Sequence, residues 1–346
     1  MDRVIDTMDV DDILDGMIVD DDIYNDHWIL LAPKGGILTV DKIALLKKSH
    51  IKTVNIRIPV SSVTERADFK EFTENYDKQL DQAQEAIKSI SDGALVDMDD
   101  LYSMTSGIMD TLKCKSDVFT YLGFLHEYDD YTFSHSSNVA LLANVFSQWM
   151  KFEEEDVRDL TIAGMLHDIG KTKVPIEILN KPAKLTEDEF KVIQLHTING
   201  YTILKDRPIP NRIKLAALNH HERINGMGYP RKIGSDKIDQ FSKIISICDV
   251  YDAMTANRCY RGKLCPFDVI GKLETQSYGE MDTNYLIAFL KHIAYNYLNS
   301  WVRLSNDDEA EIIFINPTEL TRPIVKIRGH AFNLAENREV KIVSIL

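Results

Sequence analysis

From Val118 to about Ser300, amphipathic helical patterns follow one another with almost no strand signal, and this stretch constrains the fold more than any other feature. Its helices are unusual in one respect. Each apolar stripe is interrupted by histidine or aspartate. EEEDVRDLTIAGMLHDIGK opens on acidic residues, runs through Leu160, Ala163, Met165 and Leu166, and places His167 and Asp168 in its last turn. Gly170 reads as the C-terminal stop and Lys171 lies just beyond it. A second helix starts at the capping box Thr186-x-x-Glu189 and continues through FKVIQLHTINGYTIL, carrying His196. IKLAALNHHER ends with His220 and His221 adjacent. IDQFSKIISICDVYDAMT sets Asp249 and Asp252 on one face, and YTFSHSSNVALLANVF carries His135 near its start.

A lone helical histidine is ordinarily a hydrogen-bonded core or surface residue, and an aspartate pair is ordinarily solvated. Asp249 and Asp252 are embedded in ISICDVYDAM, where burial of unpaired carboxylates would cost several kcal/mol each. Cations remove that cost. Five histidines and one or two aspartates on successive helices therefore fit a metal cluster inside a helical bundle. Mixed imidazole and carboxylate ligation suits Fe, Mn, Zn or Ni better than the all-oxygen sites of Mg or Ca.

The rest of the chain divides around this stretch. Residues 1–60 read as a small α/β module: IVDDDIYNDHWILLAPKGGILTV as strands about a Pro-Lys-Gly-Gly turn, DKIALLKKSHI as a short helix, KTVNIRI as a strand. Its first 22 residues hold nine aspartates against Arg3, a block expected to be solvated. Residues 61–117 read as a helical connector, with Phe69, Phe72, Tyr76, Leu80, Ala83 and Ile87 at helical spacing. Residues 301–346, with EIIFINP and RPIVKIRG, read as a short β appendage. The expected fold is thus mainly α, with a helical bundle at 118–300. A net charge of −14 argues against DNA, RNA or acidic membrane as nonspecific partners. The chain has no apolar run near the roughly 18 residues of a membrane span. Four cysteines without CxxC spacing fit a reducing compartment, and a cytoplasmic location is expected.

His135, His167-Asp168 and Asp249 resemble the HD superfamily of metal-dependent phosphohydrolases, and HHERINGMGYP at 220–230 resembles the signature of its HD-GYP branch. The likeness continues through HDIGKTKVP, ILNKPAKLTEDEF, QLHTINGY and DVYDAMTANRCYR, over about half the chain. It implies hydrolysis of cyclic di-GMP to the linear dinucleotide, GMP or both, by a hydroxide held between two divalent cations, Fe or Mn first and then Zn or Ni. It implies Asp168 as bridging ligand, with His135, His167 and Asp249 on one metal and His196, His220 and His221 on the other. It further implies Asp168 and Lys171 as catalytic residues, Lys171, Arg258, Arg261 and Tyr229 as substrate contacts, and Asp252 as a residue that orients a ligand or water. The loop Gly228-Tyr229-Pro230 is also a docking site for signalling proteins in such a family, as is the N-terminal module, and a homodimer is left open. Some members hold a third metal through a glutamate four residues before the first histidine. Here that position is Tyr131, with Asp129 and Asp130 out of register, so two metals are expected. Two alternatives stand beside this reading: hydrolysis of another cyclic dinucleotide, and a weakly active cyclic di-GMP receptor or scaffold.

Overall fold

A computed structural model describes residues 3–13, 17–25, 29–34, 36, 38–59, 67–112, 118–119, 121–122, 134–181, 183–255 and 264–346. Two compact units emerge, one of residues 1–70 and 297–346, the other of residues 71–296. The first joins segments that the sequence reading keeps apart; the ion pair between Lys34 and Glu311 links them across the chain and leaves no local signal.

In the first unit, β1 (Arg3–Asp9), β2 (Ile18–Val19) and β5 (Thr53–Pro59) form an antiparallel sheet in the order β1-β5-β2. β3 (Ile23–Tyr24) and β4 (Leu30–Ala32) pair separately, and α1 (Val40–Lys48) is capped by the Thr39 hydroxyl, which accepts the Lys42 N–H. Val10, Ile13, Val19, Ala32, Leu38, Leu46, Val54 and Ile56 close the core of this module. The C-terminal strands β6 (Trp301–Leu304), β7 (Glu309–Phe314), β8 (Ile324–Ile327), β9 (His330–Asn333) and β10 (Ile342–Ile345) form an antiparallel sheet in the order β10-β6-β7-β8-β9. The Lys34 ammonium bonds both Glu311 oxygens, at 2.9 and 3.0 Å, and Asp20 at 3.3 Å. Asp20 therefore departs from the solvated acidic block: it is buried because a cation meets it.

The second unit is helical: α2 (Ala67–Ser91, entering from the first unit), α3 (Met98–Met109), α4 (Ser134–Trp149), α5 (Glu154–Leu166), α6 (Ile176–Leu179), α7 (Glu187–Gln194), α8 (His196–Leu204), α9 (Asn211–Asn219), α10 (Gln240–Thr255), α11 (Pro266–Gln276) and α12 (Thr283–Asn296). The spaced apolar residues Phe69, Phe72, Tyr76, Leu80 and Ala83 are buried along α2, as its periodicity predicts. α4 and α5 approach closely because Gly164 has no side chain: a Cβ there would lie 2.7 Å from the Ala140 Cα. Asn144, buried between them, donates to the Thr161 hydroxyl at 2.9 Å, so the polar pair is satisfied. Among the described residues, no helix is long and apolar enough to cross a membrane.

Two local readings are corrected. The helix predicted to run unbroken from the capping box through His196 is two helices, α7 and α8. The box itself is present, Thr186 and Glu189 each accepting the other's backbone N–H. The break at Leu195 is sealed by side chains, with the His196 Nδ1 on the Ile193 carbonyl and the Thr197 hydroxyl on that of Gln194. Gly170, read as a helix stop, instead sits inside a short 3₁₀ segment, Ile169–Lys173. It is glycine for lack of space, since a Cβ there would fall 1.9 Å from the His196 carbonyl oxygen.

Candidate metal centre

Five helices deliver the site. α5 ends at Leu166, so His167 caps it, and the His167 Nδ1–H donates to the Gly164 carbonyl at 2.7 Å. This fixes the ring and leaves Nε2 as a lone pair; it is buried and has no hydrogen-bond partner. Asp168 follows, also buried, with Oδ1 lacking a hydrogen-bond partner and Oδ2 against the Lys171 ammonium. His196, at the start of α8, donates Nδ1–H to the Ile193 carbonyl at 2.7 Å, and its Nε2 lies 3.3 Å from the Asp168 Oδ1. His220, at the end of α9, donates Nδ1–H to the Ala216 carbonyl at 3.0 Å. The Nε2 atoms of His196 and His220 then face each other at 3.2 Å. With both Nδ1 atoms used as donors, two lone pairs point at one another.

His135 of α4 and Asp249 of α10 close the other side. The His135 Nε2 is 3.1 Å from Asp249 Oδ1 and 3.6 Å from Asp168 Oδ2, while its Nδ1 is held by Asp252 Oδ2 at 2.7 Å. The His221 Nδ1 lies 3.8 Å from Asp249 Oδ2. The residues His135, His167, Asp168, His196, His220, His221 and Asp249, scattered over 115 positions, are thus brought into one cluster, buried except for the half-buried His135 and His221. Among the described residues, three sets have donor atoms close enough to share an ion: His196, His220 and His221; His135, His167 and Asp249; and His167, Asp168 and His220.

The electrostatics fit cation binding. Burial holds His196 and His220 below the usual histidine range, and burial takes His221 down to about 3, so these rings are neutral, the form that ligates. Burial acts the same way on His135, but the carboxylates of Asp249 and Asp252 outweigh it and carry that imidazole up to about 10. Burial opposes ionisation of Asp168 and Asp249 as well. Lys171 overcomes it for Asp168, and His135 for Asp249, so both stay below the usual carboxylate range. The His135 ring thus lies between the carboxylates of Asp249 and Asp252. The unpartnered Nε2 of His167, the unpartnered Oδ1 of Asp168 and the facing lone pairs of His196 and His220 are what a cation would satisfy.

Tyr229 lies against this centre, its ring stacked on His221 with centroids 4.7 Å apart and planes at 28°. Gly226 has φ +74°, and Gly228 has no room for a side chain, so both glycines of the loop are required. Arg258, Arg261, Tyr131, Asp129 and Asp130 lie outside the described residues. The residue missed by sequence reasoning is Glu222. Flanked by His221 and Arg223, it reads as surface charge, yet it is 3% exposed.

A helical bundle with a buried His–Asp pair at its centre defines an HD domain, and residues 124–283 match the HD domain family. The segment at 220–230 is the part that resembles the loop of the HD-GYP branch. It is 34% identical over 200 residues to a cyclic di-GMP phosphodiesterase of Pseudomonas aeruginosa, covering 58% of this chain and 48% of the relative. A 3'3'-cGAMP-specific phosphodiesterase of Vibrio cholerae is 38% identical over 154 residues, covering 44% and 36% respectively. A cyclic di-GMP phosphodiesterase of Thermotoga maritima is 34% identical over 178 residues, covering 51% and 48%. The chain spans about half the length, or less, of these relatives.

Proposed function

We propose that this chain is a metal-dependent phosphodiesterase that hydrolyses cyclic di-GMP to the linear dinucleotide, GMP or both. The observation that supports the reading is the pair of imidazole lone pairs facing each other at 3.2 Å beside an unpartnered carboxylate oxygen, an arrangement a cation would satisfy. His135, His167 and Asp249 would hold one metal, His196, His220 and His221 a second, with Asp168 between them; Fe or Mn suits the donor set first, then Zn or Ni. Metals bound there supply Lewis acidity at phosphorus and activate water.

The side chains do the rest. Asp252 fixes the tautomer and orientation of His135 through its 2.7 Å bond. Lys171, 36% exposed and beside Asp168, presents a cation to the negative charge that develops on the nonbridging phosphate oxygens. Arg258 and Arg261 add phosphate contacts, and Tyr229 closes the site beside His221. The location proposed is the cytoplasm, where such a messenger would be met, and the loop Gly228-Tyr229-Pro230 is available to partner proteins.

The likeness to the Vibrio cholerae enzyme favours one second reading, a preference for a mixed cyclic dinucleotide. Metal analysis of protein purified without oxygen, combined with product assays on cyclic di-GMP and 3'3'-cGAMP, tests both. Two metals per chain and conversion of cyclic di-GMP are expected. Faster turnover of 3'3'-cGAMP would move the assignment to the second reading. Tight binding of cyclic di-GMP with no product from metal-loaded protein would replace both with a receptor.

A further inference from the structure

The metal-ligating rings are not all held in the same way. His167, His196 and His220 each anchor Nδ1 on a backbone carbonyl, and His135 is anchored on Asp252. Among the described residues, His221 has no such hydrogen bond; its Nδ1 lies 3.8 Å from the Asp249 carboxylate. What lies flat on its ring is Tyr229. The orientation of this one ligand therefore depends on where the loop places a tyrosine.

The loop is in turn wound about a buried carboxylate. Glu222 accepts the Arg231 N–H on Oε1 at 2.6 Å and the Ile233 N–H on Oε2 at 3.1 Å, so both of its oxygens bind the far limb of the loop. On the near limb, the Tyr229 N–H donates to the His221 carbonyl at 3.3 Å and the Gly226 N–H to the Arg223 carbonyl at 2.8 Å. Gly228 passes so close that a Cβ would lie 2.5 Å from the Glu222 Cα. Tyr229 is thus clamped between its own bond to His221 and the segment that Glu222 holds.

We propose that Glu222 is a positioning residue that seats Tyr229 on His221 and so fixes the imidazole of the His196–His220–His221 metal set. This rests on the reading that those histidines bind metal. Groups that orient metal ligands typically contribute 10–100-fold in metal affinity. A glutamine at 222 keeps the shape but turns an N–H₂ toward one of the two backbone N–H groups, opening that side of the clamp.

The test is titration of the chelator-stripped chain with Mn²⁺ alone, followed by calorimetry, with circular dichroism to check folding. Glu222→Gln and Tyr229→Ala should each weaken one Mn²⁺ site by about tenfold or more and leave the other unchanged. Tyr229→Phe keeps the ring and should match the unmodified chain. The Glu222→Gln/Tyr229→Ala double variant should be no weaker than Tyr229→Ala, because the two act in series. A folded Glu222→Gln variant with unchanged affinity, or a double variant whose losses multiply, would overturn the proposal. Should Glu222→Gln fail to fold, equal affinities for Tyr229→Ala and Tyr229→Phe overturn it instead. Absence of Mn²⁺ uptake by the unmodified chain would defeat the metal reading itself, a result distinct from either.

Discussion

Gly170 and Gly200 face each other across the contact between the 3₁₀ segment and α8, and alanine at the two positions should have opposite effects. At Gly170 a Cβ would lie 1.9 Å from the His196 carbonyl oxygen and 2.4 Å from the Gly200 nitrogen, whereas real Cβ atoms keep at least 3.0 Å. The segment must retreat by 3.0 − 1.9, about 1.1 Å, from helix backbone that cannot yield. Overpacking of this kind costs about 3 kcal/mol, which for a unit of 226 residues (71–296) lowers Tm by about 6–12 °C. The same retreat carries Asp168 and Lys171 with it, and a displacement near 1 Å costs on the order of 100-fold in rate. At Gly200 the nearest atoms to a new Cβ are 3.4–3.5 Å away, ordinary contact inside a helix. Alanine there should add about 0.5–1 kcal/mol, raising Tm by about 1–4 °C. Calorimetric melts of the two variants, with metal content measured in parallel, decide the matter. A Gly170→Ala variant that melts like the parent with full metal, or a Gly200→Ala variant as damaged as Gly170→Ala, would refute the packing argument.

Replacing His167 with alanine should remove metal and abolish hydrolysis together, whereas Lys171→Ala should keep its metals and lose about 10²–10³-fold in kcat; elemental analysis beside a product assay separates the two. The metal-free chain should be most stable near pH 6.5, judged by chelator-treated melts. His221, titrating near 3 when folded, stabilises fully above its unfolded value of 6.5, and that contribution is lost as pH falls from 6.5 toward 3. His135, at about 10 when folded, stabilises fully below 6.5, and its contribution is lost as pH rises from 6.5 toward 10. A flat profile on both sides would contradict the charge states described for the centre.

The helical unit and its buried His–Asp cluster were legible because burial leaves a periodic trace, and a histidine or aspartate on an apolar stripe breaks it visibly. His135, His167, Asp168, His196, His220, His221 and Asp249 each did so. What stayed hidden depends on partners distant in the chain. Asp20 looks like one more solvated aspartate until Lys34 meets it, and Glu222 looks like surface charge until the loop returns its two N–H groups. The break at Leu195 follows from side chains bonding carbonyls of the preceding turn, which a helical pattern of apolar residues does not encode. Gly170 was noticed for the wrong reason, since a helix stop and a close backbone approach call for the same residue.

One regularity links the legible and the hidden parts. His167 and His220 cap the ends of α5 and α9, and His196 follows Leu195, the cap of α7. Carbonyls in a helix's last turn lack their full set of helical donors, so a histidine just beyond can place Nδ1–H on one of them. The bonds to Gly164, Ile193 and Ala216 reach back three, three and four residues, the spacing that helix geometry supplies. Each such bond selects the tautomer that leaves Nε2 unprotonated and aims it away from its own helix, so three helix endings converging on one point become three oriented lone pairs. Among the described residues His221 makes no such bond, and it is the ring over which the Glu222-anchored loop is folded.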